Sequence, residues 1–262
     1  MRIDLSAKSA FVSGSTQGIG RAIAARLAEC GAVVYVNGRS AERVDAVVAE
    51  LRAEQPDAHF EALAVDVVTD ADALFSALPD VDILVNNLGI FGPQPLLEVD
   101  DETWQRYWDV NVMSGIRLTR HYARGMVERG WGRVQFMASD SAVVIPEEMV
   151  HYGVTKTALL GVSRGFAKVV AGTGVTVNAV IAGPTHTEGV EDFVRELVGS
   201  DLPWEEASAK FVREHRPTSL IGRLIEPVEI ANLCAYLASD LASATTGGAI
   251  RVDGGFVDNI VL

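Results

Sequence analysis

Hydrophobic and polar positions along the chain follow two alternating patterns, short β-branched runs and longer segments with apolar residues at helical spacing. The short runs predict strands near 9–13, 32–37, 60–65, 81–86, 133–138, 175–181 and 249–252, and helices fill most of the gaps. Strands separated by helices need crossover connections, which produce a parallel sheet covered on both faces. The pattern therefore predicts a three-layer α/β sandwich.

One interval, 185–220, interrupts this alternation. It carries two segments that are helical in pattern, "GVEDFVRELVG" and "PWEEASAKFVREH", with no strand between them. No sequence repeat and no Pro-, Gly- or Ser-rich linker divides the chain, so we expect a single domain over 1–262. An insertion after the carboxyl end of a strand lies on the ligand side of such a sheet. The interval is predicted to be either a substrate lid or a surface helical hairpin.

Composition narrows the class of ligand. The chain has 262 residues, 48% of them hydrophobic, which is sufficient for a core, and 22 basic against 35 acidic residues give a net charge of −13. This charge argues against nucleic acid or an anionic membrane as a partner and favours a small molecule. The two cysteines, Cys30 and Cys234, offer no disulfide framework and no zinc site, so we expect no metal.

The chain shows no feature of export or membrane insertion. The amino-terminal segment lacks a basic and hydrophobic signal, and no apolar run approaches the roughly 20 residues of a membrane span. We expect a cytoplasmic protein.

A glycine-rich segment, "SGSTQGIG" (13–20), joins the first predicted strand to a helix expected to start at about Arg21. Gly14, Gly18 and Gly20 lack the β-carbons that would keep a phosphate away from backbone N–H groups at the positive end of the helix. The segment therefore predicts a phosphate-binding loop, although its glycine spacing differs from the GxGxxG fingerprint.

Tyr152 and Lys156 lie four positions apart in "HYGVTK", within a segment predicted to be helical. About one helical turn separates them, so both side chains leave the same face. A nearby ammonium favours the anion of a phenol, whose pKa is otherwise about 10. The pair alone is compatible with acid–base chemistry and with ordinary packing.

Further motifs resemble those of the short-chain dehydrogenase/reductase family over nearly the whole chain. Beside the glycine loop and "YGVTK", they are "VD" at 65–66, "NNLG" at 86–89, Asn111 in "DVNVMSG", Ser139, "NAVIAGPTHT" at 178–187 and "RVDGG" at 251–255. The resemblance implies a doubly wound Rossmann-type sheet and an oxidoreductase that moves a hydride between nicotinamide and a ketone or secondary alcohol.

The resemblance implies four catalytic residues. Tyr152 would be the acid/base, and Lys156 would lower the pKa of its phenol and bind the nicotinamide ribose. Ser139 would hydrogen-bond the substrate oxygen, and Asn111 would help to hold a water relay from the lysine to solvent. Without the resemblance, Ser139 could simply cap a strand and Asn111 could satisfy backbone groups.

The resemblance also implies a dinucleotide site. Asp66 and Val67 would flank the adenine ring, Asn86 and Gly89 would shape the wall beside its ribose, and Thr187 would hold the carboxamide. Asp66 could instead cap the loop after its strand. The implied cofactor residues are Gly14, Ser15, Gln17, Gly18, Ile19, Gly20, Arg39, Ser40, Asp66, Val67, Asn87, Gly89, Tyr152, Lys156, Gly183, Thr185 and Thr187.

The segment "VNGRS" (36–40) bears on the choice of dinucleotide. Enzymes that select NAD usually place an acidic residue here, where this chain has Gly38. The guanidinium of Arg39 can meet a 2′-phosphate with two parallel hydrogen bonds, with the Ser40 hydroxyl within reach. Gln17 occupies a place where NADP-preferring relatives often carry a second basic residue. We expect a moderate preference for NADP(H) over NAD(H), unless Arg39 is merely solvated.

The chain departs from the family pattern at Ser13, Leu88 and Ala182, where threonine, alanine and proline are usual. These changes affect pocket shape and nicotinamide contacts rather than catalytic groups. By analogy, the substrate pocket would contain Ile90, Phe91, Asp140, Ile145, Met149, His186, Val190, Phe193 and Trp204. His151 and His186 are interpreted as solvated or structurally hydrogen-bonded, not as catalysts.

Three alternative functions remain open. A 3-oxoacyl-thioester reductase would need a basic patch at the site mouth, for which Arg124, Arg129 and Arg164 are candidates. A catalytically silent dinucleotide-binding regulator would not need the serine, tyrosine and lysine set, and neither would a methyltransferase on a similar sheet. The resemblance further implies a homodimer or homotetramer formed by the segment 103–130 and the helix after Tyr152.

Overall fold

The structure is a computed structural model that describes residues 2–199 and 201–260. Seven strands within this part of the chain form one parallel sheet, in the order β3-β2-β1-β4-β5-β6-β7. They are β1 Ser9–Val12, β2 Val33–Gly38, β3 His59–Ala64, β4 Ile83–Asn86, β5 Gly132–Ser139, β6 Val175–Ala182 and β7 Ala249–Val252. The doubly wound, Rossmann-type sheet is confirmed, and each predicted strand is present with small shifts at its ends.

The helices connect successive strands. They are α1 Gly18–Glu29, α2 Ala41–Glu54, α3 Ala71–Ala77, α4 Asp101–Trp108, α5 Ser114–Arg129, α6 Val150–Val169, α7 Glu188–Val198, α8 Trp204–His215 and α9 Pro227–Ala238. A π-helical turn, Asp109–Met113, joins α4 to α5. Short 3-10 turns occupy Leu96–Glu98, Asp140–Ala142, Glu147–Met149 and Asp240–Ala242.

Two hydrophobic cores lie on opposite faces of the sheet. Alternation along β1 directs Ala10 and Val12 into one core and Phe11 into the other. The first core is closed by helices α1, α2 and α9, with Ile23 fully buried, and the second by α3, α5 and α6, with Leu118 fully buried. Because both faces are covered, the strands present their ends, not their faces, to ligands.

The interval 185–220 forms two helices, α7 and α8, as predicted. Their apolar faces pack together in a third cluster that includes Phe193, Phe211 and Met149. Phe193 and Phe211 meet edge to face, with ring centroids 6.0 Å apart. This cluster lies beyond the carboxyl ends of the strands and forms one wall of the site.

The first helix begins earlier than the sequence predicted. It starts at Gly18 rather than at about Arg21, because the Arg21 N–H already donates to the Gln17 carbonyl at 3.1 Å and closes the first turn. Both cysteines are free thiols. Within 2–199 and 201–260, no helix is long and apolar enough to cross a membrane, and no group of His, Cys, Asp or Glu could hold a metal ion.

Candidate active site

The carboxyl ends of β1, β2, β4, β5 and β6 meet at one edge of the sheet and open into a cavity of about 690 Å³. The order of the strands reverses between β1 and β4, which is where ligands bind in folds of this kind. Most of the predicted site residues line this cavity: Gly14, Gln17, Gly18, Ile19, Gly20, Arg39, Asp66, Val67, Asn87, Gly89, Ser139, Tyr152, Lys156, Gly183, Thr185 and Thr187.

The glycine loop forms one end of the cavity. Gly14 and Gly18 have φ values of +62° and +54°, a conformation that side chains rarely adopt. A β-carbon on Gly20 would lie 2.4 Å from Asn87 Nδ2 and 2.5 Å from the Gly14 oxygen. Gln17 at the N-cap makes no side-chain capping bond, so the N–H groups that begin α1 remain available to an anion. The loop fits a dinucleotide pyrophosphate.

Ser15 does not line the cavity, in contrast to the prediction. Its buried hydroxyl donates to the Val12 oxygen at 2.7 Å and accepts from the Asn37 N–H at 2.9 Å, which ties the loop to β2. Ser13 has a similar task, because its hydroxyl accepts from the N–H groups of Asn87 and Leu88 at 3.0 and 3.1 Å. The serine at this departure from the family pattern therefore still anchors the loop.

Arg39, at the end of β2, is exposed and lines both the main cavity and a smaller groove beside it. The hydroxyl of Ser40 caps α2 by accepting from the Arg43 N–H at 3.3 Å, and it also lines the groove. Arg43 is a groove residue that the sequence prediction missed, although its spacing of one helical turn from Arg39 was a usable signal. Two cations therefore border the same groove.

The residues predicted to flank the adenine include side chains that hold the backbone and side chains that line the cavity. Asp66 Oδ1 accepts from the Val68 N–H at 2.9 Å and the Thr69 N–H at 3.4 Å, so this carboxylate caps its own loop while it lines the cavity. Asn87 Nδ2 donates to the carbonyls of Ser13 and Gly14. Asn86, by contrast, points into the second core and donates to Thr119 Oγ1 at 3.0 Å.

The loop after β6 approaches β7 closely. A β-carbon on Gly183 would lie 2.6 Å from the Asp253 Cα. The Thr185 hydroxyl donates to the Gly183 carbonyl at 2.8 Å, and the Thr187 hydroxyl caps α7 by accepting from the Val190 N–H. These contacts hold two threonine side chains against the cavity, with Thr187 beside the glycine loop, where a β-carbon on Gly18 would lie 3.2 Å from Thr187 Cγ2.

Ser139, Tyr152 and Lys156 converge where β5 ends and the first two turns of α6 pass beside it. Lys156 Nζ donates to the Met137 carbonyl at 2.8 Å and lies 5.6 Å from the centre of the Tyr152 ring. The Ser139 hydroxyl donates to Asp140 Oδ1 at 2.8 Å. All three predicted residues line the cavity and lie close together.

Asn111 lies behind this group in the π-helical turn, and the cavity lining does not include it. Its Oδ1 accepts from the Ile90 N–H at 2.8 Å, and its Nδ2 donates to the Ile90 carbonyl and to Thr155 Oγ1, each at 3.0 Å. The side chain therefore fixes the loop after β4 against α6. The water relay assigned to Asn111 stays a prediction.

Burial sets the proton states at this point. It raises the pKa of the Tyr152 phenol, and the charge of Asp140 and the phenol of Tyr107 act in the same direction, against the Ser139 hydroxyl. Burial lowers the pKa of Lys156 to about 8. The sequence predicted a lowered phenol pKa, but desolvation is the larger effect. The phenol is therefore held in its protonated, donor form.

The substrate end of the cavity differs in part from the prediction. Ile90, Phe91, Asp140, Met149, Val190 and Phe193 line it, whereas Ile145, His186 and Trp204 do not. His186 instead stacks on Trp204, with ring centroids 5.0 Å apart, and its Nε2 lies 2.6 Å from Glu191. Phe211 and Arg216 line the cavity but were not predicted, because only the packing of α7 against α8 brings them there.

His151 differs from its predicted state. It is 1% exposed, and neither ring nitrogen has a hydrogen-bond partner among the described residues. Its ring packs edge to face on Tyr107, with centroids 4.3 Å apart, because this face of α6 turns toward α4. Burial lowers its pKa, so the imidazole is neutral and belongs to the packing, not to the cavity.

Comparisons with known proteins agree with this geometry. A family model described as Enoyl-(Acyl carrier protein) reductase matches residues 14–257. The chain is 48% identical over 263 residues to the uncharacterized oxidoreductase YvaG of Bacillus subtilis (strain 168), covering 99% of this chain and 100% of that protein. It is 34% identical over 260 residues to 3-oxoacyl-[acyl-carrier-protein] reductase FabG of Aquifex aeolicus (strain VF5), covering 97% and 99%.

A solved structure shows the same fold. The L-sorbose reductase of Gluconobacter frateurii, in complex with NADPH and L-sorbose, aligns with a TM-score of 0.90 and 32% identity, covering 99% of this chain and 100% of that one. The chain therefore belongs to the short-chain dehydrogenase/reductase family. It is an oxidoreductase of the kind that transfers hydride between a nicotinamide dinucleotide and a carbonyl or alcohol substrate.

Proposed function

We propose that the protein reduces a ketone to a secondary alcohol, with NADPH preferred over NADH. The observation that carries this proposal is the convergence of Tyr152, Lys156 and Ser139 in the cavity that the glycine loop also lines. Desolvation raises the pKa of the Tyr152 phenol, so the phenol carries a proton that a ketone oxygen can accept.

Each residue of the set has one task. When bound, the dinucleotide supplies the hydride. Tyr152 donates its proton to the substrate oxygen, and Ser139 holds that oxygen in place. The Lys156 ammonium stabilises the phenolate that remains and binds the nicotinamide ribose, while Asn111 keeps the adjoining loop against α6 and supports the path of proton return.

Charge supports the preference for NADPH. Arg39 and Arg43 border one groove at the end of β2, and no carboxylate stands at Gly38 to repel a 2′-phosphate. The solved relative with NADPH bound is compatible with this choice. NAD(H) remains the weaker alternative cofactor.

The helices α7 and α8 are proposed to act as a substrate lid, since Val190, Phe193 and Phe211 form the outer wall of the cavity. We further propose a cytoplasmic homodimer or homotetramer that buries exposed apolar residues of α5 and α6, among them Val127 and Val169. Light scattering that shows a monomer at micromolar concentration would contradict this assembly.

A 3-oxoacyl thioester is the second candidate substrate, since relatives include an acyl-carrier-protein reductase. The basic patch predicted at the mouth of the site for this substrate has little support. Arg129 pairs with Asp80, and Arg164 donates to the Gly247 carbonyl at 3.0 Å. These two arginines and Arg124 do not line the cavity.

The test is the absorbance decrease of NADPH with the purified protein and a panel of aliphatic ketones, hydroxylated ketones and 3-oxoacyl thioesters. Turnover with a carbonyl substrate supports reduction. Tight dinucleotide binding without turnover of any of them would favour the silent regulator instead.

A further inference from the structure

The cavity has a polar end beyond Ser139 that the reduction of a simple ketone does not use. Asp140 lines the cavity and is 5% exposed. Its Oδ1 accepts from the Ser139 hydroxyl at 2.8 Å, the Ser141 N–H at 2.7 Å and the Ser141 hydroxyl at 3.3 Å. Its Oδ2 is buried and has no partner among the described residues. One oxygen of a buried carboxyl group is saturated and the other is unused.

Arg216 faces the same cavity from the end of α8. Its guanidinium lies 5.1 Å from the Phe211 ring and 5.3 Å from the Phe256 ring, and Nη1 donates to the His215 carbonyl at 2.7 Å. Its Nε is buried without a partner within the described part of the chain. The positive charge of Arg216 opposes the burial that raises the pKa of Asp140.

These opposite charges do not form an ion pair with each other, since no contact within 4.0 Å joins them among the described residues. Leaving buried polar groups unpaired costs about 1–3 kcal/mol each. A ligand that hydrogen-bonds both groups removes this cost. Phe91, Val190 and Phe193, which also line the cavity, are apolar.

The chemistry of Asp140 selects the ligand group. An ionised carboxylate only accepts hydrogen bonds, whereas a protonated one also donates. A hydroxyl group can donate to the first and accept from the second, so it satisfies Asp140 in either state. A thioester or alkyl chain provides no donor and would leave an ionised carboxylate unpaired.

Deepening the proposed function, on which this rests, we propose that Asp140 and Arg216 form a subsite for the hydroxyl groups of a hydroxylated ketone. Asp140 contacts a hydroxyl near the carbonyl, because it directly follows Ser139 in the chain and lines the same cavity. Arg216 donates to an oxygen further along the substrate.

The test compares two ketones with the same four-carbon chain, erythrulose and 2-butanone, together with a 3-oxobutanoyl thioester. We expect kcat/KM to be higher for erythrulose by about tenfold or more. Arg216→Gln should lower the ratio of erythrulose to 2-butanone about tenfold, mainly through KM. Asp140→Asn should lower the same ratio and also kcat, since Asp140 contacts Ser139.

The matched control is Arg213→Gln, which changes an exposed arginine of the same helix that does not line the cavity. Its ratio should stay within about twofold of the parent. Turnover without a preference for erythrulose, or a preference that Arg216→Gln leaves intact, would overturn the subsite while the reductase function stands.

A binding measurement keeps the two proposals separate. Calorimetry of erythrulose with the NADP⁺-loaded protein should show saturable binding that Arg216→Gln weakens about tenfold or more. If the protein shows this binding but reduces no ketone in the NADPH assay, the subsite is supported and the reductase function is rejected. Absence of saturable binding in the parent would overturn the subsite.

Discussion

Replacing Arg39 by alanine should change the choice between NADPH and NADH without preventing folding. The side chain is exposed at the end of β2 and has no hydrogen-bond or ion-pair partner among the described residues, so its loss disrupts no internal contact. The reverse change, an acidic residue at Gly38, is a poorer test. A β-carbon there would lie 2.7 Å from Thr16 Cγ2, so steric and charge effects would be mixed.

The expected magnitude follows from the exposure of Arg39. A hydrogen bond to a charged group contributes about 1.5–3 kcal/mol, whereas an exposed ion pair contributes about 0.2–1 kcal/mol. Because the guanidinium is exposed but borders a groove, we expect a value near the meeting point of these ranges. The NADPH to NADH ratio of kcat/KM should therefore fall about tenfold. Arg43→Ala should lower this ratio by a smaller factor, and the double variant should approach equal kcat/KM values for NADPH and NADH.

The assay is kcat/KM for both dinucleotides with one reduced ketone, at low and high salt. Screening should shrink the NADPH preference of the parent more than that of Arg39→Ala. Arg120→Ala, on the exposed side of α5, is the matched control. A parent that prefers NADH, or a ratio that Arg39→Ala leaves unmoved, would refute the assignment.

Two further predictions concern the loop and the lysine. Gly20→Ala should weaken NADPH binding about tenfold or more in a fluorescence titration, because the added β-carbon would lie 2.4 Å from Asn87 Nδ2. The control Gly165→Ala should leave NADPH binding unchanged, because its added β-carbon would meet no atom within 4 Å. Equal NADPH affinities of the two variants would contradict the phosphate-binding role of the glycine loop. The kcat/KM should decline above about pH 8, because the Lys156 ammonium, whose pKa is lowered to about 8, loses its proton there. Lys156→Arg should remove this decline, because a guanidinium stays charged. A decline that persists in that variant would assign the titration to another group.

The lysine also affects stability. Its pKa is about 8 in the folded protein against an ordinary value of 10.5, so the unfolded chain binds more protons between these two pH values. The contribution of Lys156 to stability should therefore increase as the pH rises from about 8, while activity falls.

The local sequence pattern was sufficient to predict the sheet and the edge of the sheet at which the cavity opens. Strand periodicity and the glycines around the start of α1 are properties of short segments, and the structure places the strands as predicted and these glycines in the lining of the cavity. The sequence pattern could not distinguish Ser15 from the cavity-lining residues around it, because its role depends on a hydrogen bond from the Asn37 N–H in the next strand.

The substrate end depends on long-range packing, which periodicity does not specify. Trp204 and His186 stack on each other away from the cavity, whereas Phe211 and Arg216 reach it through the packing of α8. Burial of His151 likewise requires the rings of α4. The unused oxygen of Asp140 is visible only when every neighbouring donor is known.

The transfer of deuterium from NADPH deuterated at both C4 positions to product tests the central claim most directly, in the parent and in Tyr152→Phe. The parent should place deuterium on the carbinol carbon. Tyr152→Phe should bind NADPH nearly as tightly but form almost no labelled alcohol, since only the transferable proton is lost. Labelled alcohol formed by Tyr152→Phe at a rate close to that of the parent would contradict the role of the phenol.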